Sequence, residues 1–297
     1  MTALAHALAA FAAEIAERSA RLGRRVEVDV AAVADRSDAV ALGRPGLWSP
    51  NRSCRMVRAA DGWIAVNLPR EADLESVPAW LGQDVGDDPW ATIVRVARRE
   101  AAADLVAQAR LLGLPVCRVG EIRAESPASP LVPMSGAAGR APIRGGRVVD
   151  LTALWAGPLS GAVLAEAGFE VVKVDSRRRP DVMEQASPAF FARLNAAKSR
   201  LALDLSAAGD RARLAELLAG AAMVITSARP RAFEQMGLSP EAVFAGNPSL
   251  IWIAVTGYGW SGDGADRVAF GDDAAAAGGL VRWTRAGAPR FAGDALA

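Results

Sequence analysis

The groups able to do chemistry in this 297-residue chain are carboxylates and guanidinium ions rather than imidazoles. The single histidine, His6, stands in the apolar-patterned stretch ALAHALAAF, where a packed or partly exposed ring fits better than a catalytic one. A Ser-His-Asp or Cys-His triad would have to recruit that one residue, and no G-x-S-x-G elbow supports it. A histidine-rich metal site is excluded, and no metal is expected. Carboxylates remain as the natural nucleophiles or bases. Asp272 and Asp273 in FGDDAAAAGG also suit a helix cap, whereas Asp294 in FAGDALA follows a glycine that lets a substrate approach closely. Residue type alone does not choose between them.

The cations are grouped where a ligand with phosphates would want them. Arg177, Arg178 and Arg179 follow an apolar strand in SRRRPD, Lys198 and Arg200 precede another, and Arg229 and Arg231 follow a third in SARPRAF. Guanidinium forks match phosphate oxygens, and open α/β sheets bind ligands at strand ends. Singly, each charge reads as solvated surface; together they point to an anionic, phosphate-bearing ligand. Asp175 closes the second strand of a mononucleotide-type outline, but TALWAGPLSG supplies Gly157 and Gly161 without G-x-G-x-x-G, so the pyrophosphate cradle of a dinucleotide site is missing.

These groups need a scaffold. The chain is 52% hydrophobic and 23% charged, enough for a sizeable core in one large or two ordinary domains. Its 34 Lys and Arg balance 33 Asp and Glu, so a net charge of +1 gives no general attraction to nucleic acid or to an anionic membrane. Cys54 and Cys117 follow no metal or redox spacing, which points to reduced thiols and a cytoplasmic protein. Leu4, Leu8, Phe11 and Ile15 recur as in a packed helix, interrupted by Glu14, Glu17 and Arg18, so neither signal peptide nor membrane span is expected. RRVEVDVAAVA then alternates as an extended segment does. ADGWIAVNLP reads as a turn entering a strand, EADLESVPAWLG and the stretch from DDPWATIV to LLGLP as helices, and PVCRV as a short strand.

Residues 125–146, dense in Pro, Gly, Ser and Ala, read as a linker between a region 1–124 and a region 147–297. Beyond the linker the strands RVVDL, EVVKVD, SRLALDL, MVITS and SLIWIAVTGYG alternate with helices. That is the rhythm of right-handed crossovers in an open, mostly parallel, Rossmann-like α/β sheet, completed by elements from the first region. Ser206 is the expected N-cap of the helix in SAAGDRARLAELLAGA.

RVVDLTALWAGPLSGAVLAEAGFEVVKVD, NAAKSRLALDL and ARPRAFEQMGLSPEAVFAGNPSLIWIAVTGYGWSG resemble, in order and spacing, the family III CoA-transferases, the group of formyl-CoA transferase, carnitine CoA-transferase and α-methylacyl-CoA racemase. The resemblance implies an acyl-CoA:carboxylate CoA-transferase. Its substrates would be CoA or acyl-CoA and a carboxylic acid, with no permanently bound cofactor and a homodimeric assembly. In the family an aspartate on a Gly-Asp or Ala-Asp step after the GYG strand forms an acyl anhydride and then an aspartyl-CoA thioester. Asp294 holds that position. By the same resemblance Leu154, Trp155, Arg177, Lys198, Ser227, Ala228 and Arg229 fall at or beside CoA-pocket positions. Ser227 and Ala228 replace the family's Asn-Phe pair, Gln235 replaces an arginine, and Phe270 stands where racemases carry their histidine, so racemase chemistry lacks its second base.

Motifs that follow the catalytic aspartate in the family stand first here: the amino-terminal helix and RRVEVDV, then ADGWIAVNL, then ARLLGLPVCRV. The expectation is a circularly permuted and shortened member whose tail packs on its amino-terminal helix; a fragment or misjoined frame is the competing explanation. Two other functional classes stand beside the transferase: a degenerate CoA-binding or partner-binding subunit, suggested by the replaced pocket residues, and, more weakly, a dinucleotide-dependent oxidoreductase.

Overall fold

The structure, a computed structural model, describes residues 3–30, 41–122 and 145–292. In chain order the elements are α1 (Ala3–Arg21), β1 (Cys54–Arg58), β2 (Trp63–Asn67), α2 (Glu71–Glu75), α3 (Val77–Leu81), α4 (Pro89–Ala97), α5 (Ala102–Leu111), β3 (Val116–Arg118) and β4 (Arg147–Leu151). There follow α6 (Ala156–Glu166), β5 (Glu170–Ser176), α7 (Met183–Ala186), α8 (Pro188–Asn195), β6 (Ser199–Leu203), α9 (Ala208–Ala219), β7 (Met223–Thr226), α10 (Pro230–Met236), α11 (Pro240–Gly246), β8 (Ile251–Ala254), α12 (Gly271–Ala277), β9 (Val281–Trp283) and β10 (Pro289–Phe291). They form two units, one of Met1–Ala39 with Ser129–Asp266, the other of Val40–Ala128 with Arg267–Ala297.

The first unit is an α/β fold built on a five-stranded sheet in the order β6-β5-β4-β7-β8, parallel at every pairing. Adjacent valines in RVVDL explain its layering. Val149 packs with Val172, Leu214, Leu218, Phe233 and Val243 under α9, α10 and α11, while Val148 packs with Val26, Phe169, Val171 and Ile225 under α6 and the end of α1. A strand buried on both faces reads as a continuous apolar run, and the period of two sends its residues to opposite layers. Gly168, with φ 97°, ends the crossover after α6, the left-handed stop expected there.

In the second unit β1, β2 and β3 form an antiparallel sheet. Val57, Ile64, Val66 and Val116 face a core with Trp80, Ile93 and Leu105 from the helices between β2 and β3. The other face carries Cys54 opposite Asn67 and Ala65 opposite Cys117, and α12 lies on it. A hairpin of β9 and β10 follows α12.

Three expectations change. Residues 24–29 alternate in burial but pair with no strand among the described residues; Val26 is tied by its N–H to Ser19 Oγ at 2.8 Å and buried against the sheet, so the alternation reported burial and not a ladder. Ser206 does not cap α9: its N–H and hydroxyl both go to Asp204 Oδ1, and Ala207 is the N-cap residue. The units do not divide at the Pro/Gly-rich stretch either. The amino-terminal residues group with the α/β unit, where Ile15, Val26 and Val28 pack against its sheet, and the residues from Arg267 group with the antiparallel one, where Asp273 of α12 is hydrogen-bonded to Asn67 and Cys117. Residues 123–144 of the expected linker, and the expected packing of the tail on the amino-terminal helix, lie outside the described residues.

Candidate functional site

The chain winds from β4 through β5 to β6 on one side, returns to β7 beside β4, and continues to β8. Neighbouring crossovers therefore leave β4 and β7 in opposite directions, so the carboxyl ends of those strands are the sheet's switch point, the place where open α/β sheets take ligands in a crevice. Two turns form its edge. Residues 152–155 lead from β4 into α6, and residues 227–229 lead from β7 into α10. In the first, Leu154 has φ 71° and is 37% exposed, and Trp155 is buried edge-on against Phe190 with ring centres 5.4 Å apart. In the second, Ser227 is exposed, Ala228 is half-buried with its N–H on Thr226 Oγ1 at 3.1 Å, and Arg229 is exposed with Nη1 3.3 Å from the Asp266 carbonyl oxygen.

Arg177 follows β5, the neighbour of β4 on the other side, and stands 3.6 Å from Asp210 with most of its side chain in solvent. Arg178 pairs with Asp204 at 3.0 Å, and such exposed pairs contribute little stability. Arg179 and Arg231 have no acidic partner among the described residues, so with Arg229 they are the cations most available to an anion. Asp175, the acid at the end of β5, accepts from Arg200 at 2.8 and 3.0 Å and lies 3.5 Å from Lys173; it is already engaged.

Lys198 is not brought to the crevice. It precedes β6, and its side chain is fully buried, with Nζ donating to Asp150 Oδ2 at 2.8 Å, the Pro158 carbonyl at 2.7 Å and Asn195 Oδ1 at 2.9 Å. An ammonium has three protons, and all three are used. Burial pulls its pKa below the usual lysine value, with Asp150 opposing that shift. Its direct contact with a ligand phosphate, expected from the sequence, has no free donor behind it.

What Lys198 does is support the turn from below, as part of a set of buried charges that sequence reasoning missed. Asp150 Oδ1 accepts from the N–H of Thr152 at 3.0 Å and from its hydroxyl. Lys173 Nζ donates to the Thr152 carbonyl at 2.8 Å, and Asp181 accepts from the N–H of Leu154 and of Met183. The signal was present: RVVDL and EVVKVD each carry a charge inside a doubly buried strand, where an ion is tolerated only if it is paired. Period two puts Asp150 and Lys173 on the same face as Val148 and Val171, beneath α6.

The close approach of α6 to β4 requires its glycines. A Cβ on Gly157 would sit 2.3 Å from Thr152 Cβ, and one on Gly161 would sit 2.7 Å from Asp150 Oδ2. Gly157→Ala is therefore expected to destabilise the α/β unit by about 3 kcal/mol through overpacking, against the gain of about 1 kcal/mol that alanine brings to an open helical position. Thermal unfolding reads the sign directly, and a higher midpoint for the variant would refute the close approach. A separate cavity of about 150 Å³ lies on the flank, between α6, α8 and residues 27–29, lined by Leu159, Val163, Phe190 and Arg193.

The carboxylate candidates part company. Asp273 is buried in the second unit, where Oδ1 accepts from Asn67 Nδ2 at 2.7 Å and from the Phe270 N–H at 2.9 Å, the capping role its position suggested. Asp273 Oδ2 and Asn67 Oδ1 have no donor, and burial pushes the carboxyl up to about 7. Cys54 and Cys117 are buried beside it and shifted well upward, chiefly by burial, so both are thiols. Asp294 lies outside the described residues.

Residues 143–294, a little over half of the chain, match the model for CoA-transferase family III, and the chain belongs to that family. It is 33% identical over 134 residues to a probable fatty acyl-CoA transferase, Rv3272, of Mycobacterium tuberculosis, covering 42% of this chain and 34% of that protein. It is 33% identical over 141 residues to a succinyl-CoA–D-citramalate CoA-transferase of Chloroflexus aurantiacus, covering 45% and 35%. A crystal structure of the Mycobacterium tuberculosis protein Rv3272 is similar over 52% of this chain and 45% of that one, at 30% identity and a TM-score of 0.47. The chain thus spans about a third of the length of these curated relatives. Among the described residues no helix is long and apolar enough to cross a membrane.

Proposed function

We propose that this chain binds CoA or an acyl-CoA at the crevice between β4 and β7 and transfers CoA between carboxylic acids through an aspartyl-CoA intermediate on Asp294. The observation that carries the reading is the convergence, in a family III chain, of Leu154 and Trp155 with Ser227, Ala228 and Arg229 on the two turns of one switch point. Arg229 with Arg177, Arg179 and Arg231 supplies the cations for the ligand's phosphates. The family match runs as far as Asp294, on its Gly-Asp step.

In the reaction the Asp294 carboxylate attacks the thioester carbonyl and the CoA thiolate leaves, giving a mixed anhydride. The thiolate then attacks the aspartyl carbonyl, releasing the first acid, and the resulting aspartyl thioester passes CoA to the incoming acid by the reverse steps. Holding the thiolate close between these steps is the work of the CoA site, since positioning rather than acid-base chemistry limits such exchange. The working form is read as a cytoplasmic homodimer, checked by light scattering.

A second reading, a CoA-binding subunit without catalysis, is favoured by Ser227 and Ala228, which offer no ring for the ligand to stack on. Calorimetry with CoA and with NAD, followed by mass spectrometry of the Asp294 peptide after incubation with acyl-CoA, separates the readings. CoA heat and an adduct heavier by CoA, lost in Asp294→Asn while CoA binding stays within about twofold, is the expected result. CoA binding without an adduct selects the second reading; NAD binding without CoA binding overturns both.

A further inference from the structure

Leu154 has the least ordinary backbone of the crevice: a branched side chain in the left-handed region, at φ 71°. Glycine takes that conformation freely, but a leucine stays there only where its surroundings hold it. The holding groups form one buried ion pair. Asp181 accepts the Leu154 N–H through both oxygens, at 3.2 and 3.3 Å, and Lys173 donates to the Thr152 carbonyl at 2.8 Å. Lys173 Nζ and Asp181 Oδ2 are 3.6 Å apart, with side chains 0% and 2% exposed. The two peptide units that flank Ala153 are therefore held by the two members of one ion pair, the first through its oxygen and the second through its nitrogen.

Joining a strand to a helix needs no buried charge, and burying two is unfavourable beside an apolar packing of the same volume. The pair adds a single geometry for the turn at the mouth of the crevice. We propose that Lys173 and Asp181 are positioning residues for the ligand: they clamp the turn between β4 and α6 so that Leu154, left-handed, forms the crevice wall, and neither touches the ligand itself. This rests on the reading of the crevice as a CoA site.

Asp181→Asn keeps the side-chain shape, and Lys173 keeps Asp175 at 3.5 Å, so the ammonium is not stranded and the variant folds. Three variants are compared with the parent, Asp181→Asn, Leu154→Gly and the double, by denaturant unfolding and by calorimetry with CoA below all their unfolding transitions. Because glycine needs no holding at φ 71°, the loss of stability from Asp181→Asn is expected to be about tenfold smaller, in the unfolding equilibrium constant, in the Leu154→Gly background. An additive cycle overturns the clamp. Asp181→Asn is also expected to weaken CoA binding by about tenfold, whereas Val243→Ala, a core truncation beneath α11, lowers stability and leaves CoA affinity unchanged. Parental CoA affinity in Asp181→Asn, or an equal loss in Val243→Ala, overturns the positioning role. Absence of CoA heat with the parent protein defeats the functional reading and the ligand role with it, while the unfolding cycle still decides the clamp.

Discussion

Lys198→Met is expected to destabilise the α/β unit by about 3–5 kcal/mol, because it strands the Asp150 carboxylate in a site with no access to water. The remaining donors to Asp150, the Thr152 N–H and hydroxyl, solvate Oδ1 and leave Oδ2 without a partner. Asp150→Asn in the same chain removes the stranded charge, so the double variant is expected to recover a large part of the loss, and the two substitutions are strongly non-additive. Denaturant unfolding of the four proteins measures this. A ligand-binding lysine would behave in the opposite way: Lys198→Met would then weaken CoA binding at nearly parental stability, and that result would remove the structural assignment. An effect of this size is a large fraction of the stability of an ordinary domain, so the pair governs whether the crevice exists at all.

Asp273→Asn is expected to stabilise the second unit at pH 8 and to flatten its dependence on pH. The Asp273 carboxyl titrates at about 7 in the folded chain against 3.8 for an ordinary aspartate, chiefly because burial disfavours its charge, with Asp272 adding to the rise. The folded state therefore holds a proton that the unfolded state has released, and stability falls as pH rises from about 4 to about 7, then levels off. Three units correspond to about 4 kcal/mol at the most, for a group sealed from solvent. The other ionisable groups around it do not offset this: Cys54 and Cys117 remain neutral thiols across the range, and Glu121 is paired with Arg267.

Asp273 Oδ2 and Asn67 Oδ1 are both without a partner, on two side chains joined by the Asn67 Nδ2–Asp273 Oδ1 hydrogen bond, and a carboxyl that keeps its proton gains a donor where a carboxylate has none. In Asp273→Asn the new amide carries donor hydrogens and no charge at any pH. Hydrogen exchange of peptides covering residues 63–67 and 271–277 at pH 5 and pH 8 reads the local effect, with parental protection dropping at pH 8 and the variant's unchanged. Equal protection of the parent at both values would show that the carboxyl titrates normally.

The α/β rhythm of residues 147–254 was legible in the sequence, because strands such as MVITS, buried on both faces, must be short apolar runs separated by helices; the expected continuation to residue 297 was not met, since the segment from Arg267 belongs with the antiparallel unit. So were the places of Leu154, Arg177 and Arg229, since a residue following a parallel strand falls at its carboxyl end whatever the packing. The carboxylate that caps α12 was visible as a Gly-Asp-Asp step. Tertiary structure alone decided what each charge is for. Lys198 and Arg229 are both basic residues beside a strand, yet one ends on a buried Asp150 beneath α6 and the other is exposed, with the Asp266 carbonyl as its hydrogen-bond partner. The pairing of Lys173 with Asp181, and of Asn67 with Asp273 from 206 positions away, likewise depends on which surfaces the fold brings together. Local pattern reports a side chain's layer and strand end; desolvation, which sets whether a charge is a ligand contact or part of the frame, is a property of everything packed around it.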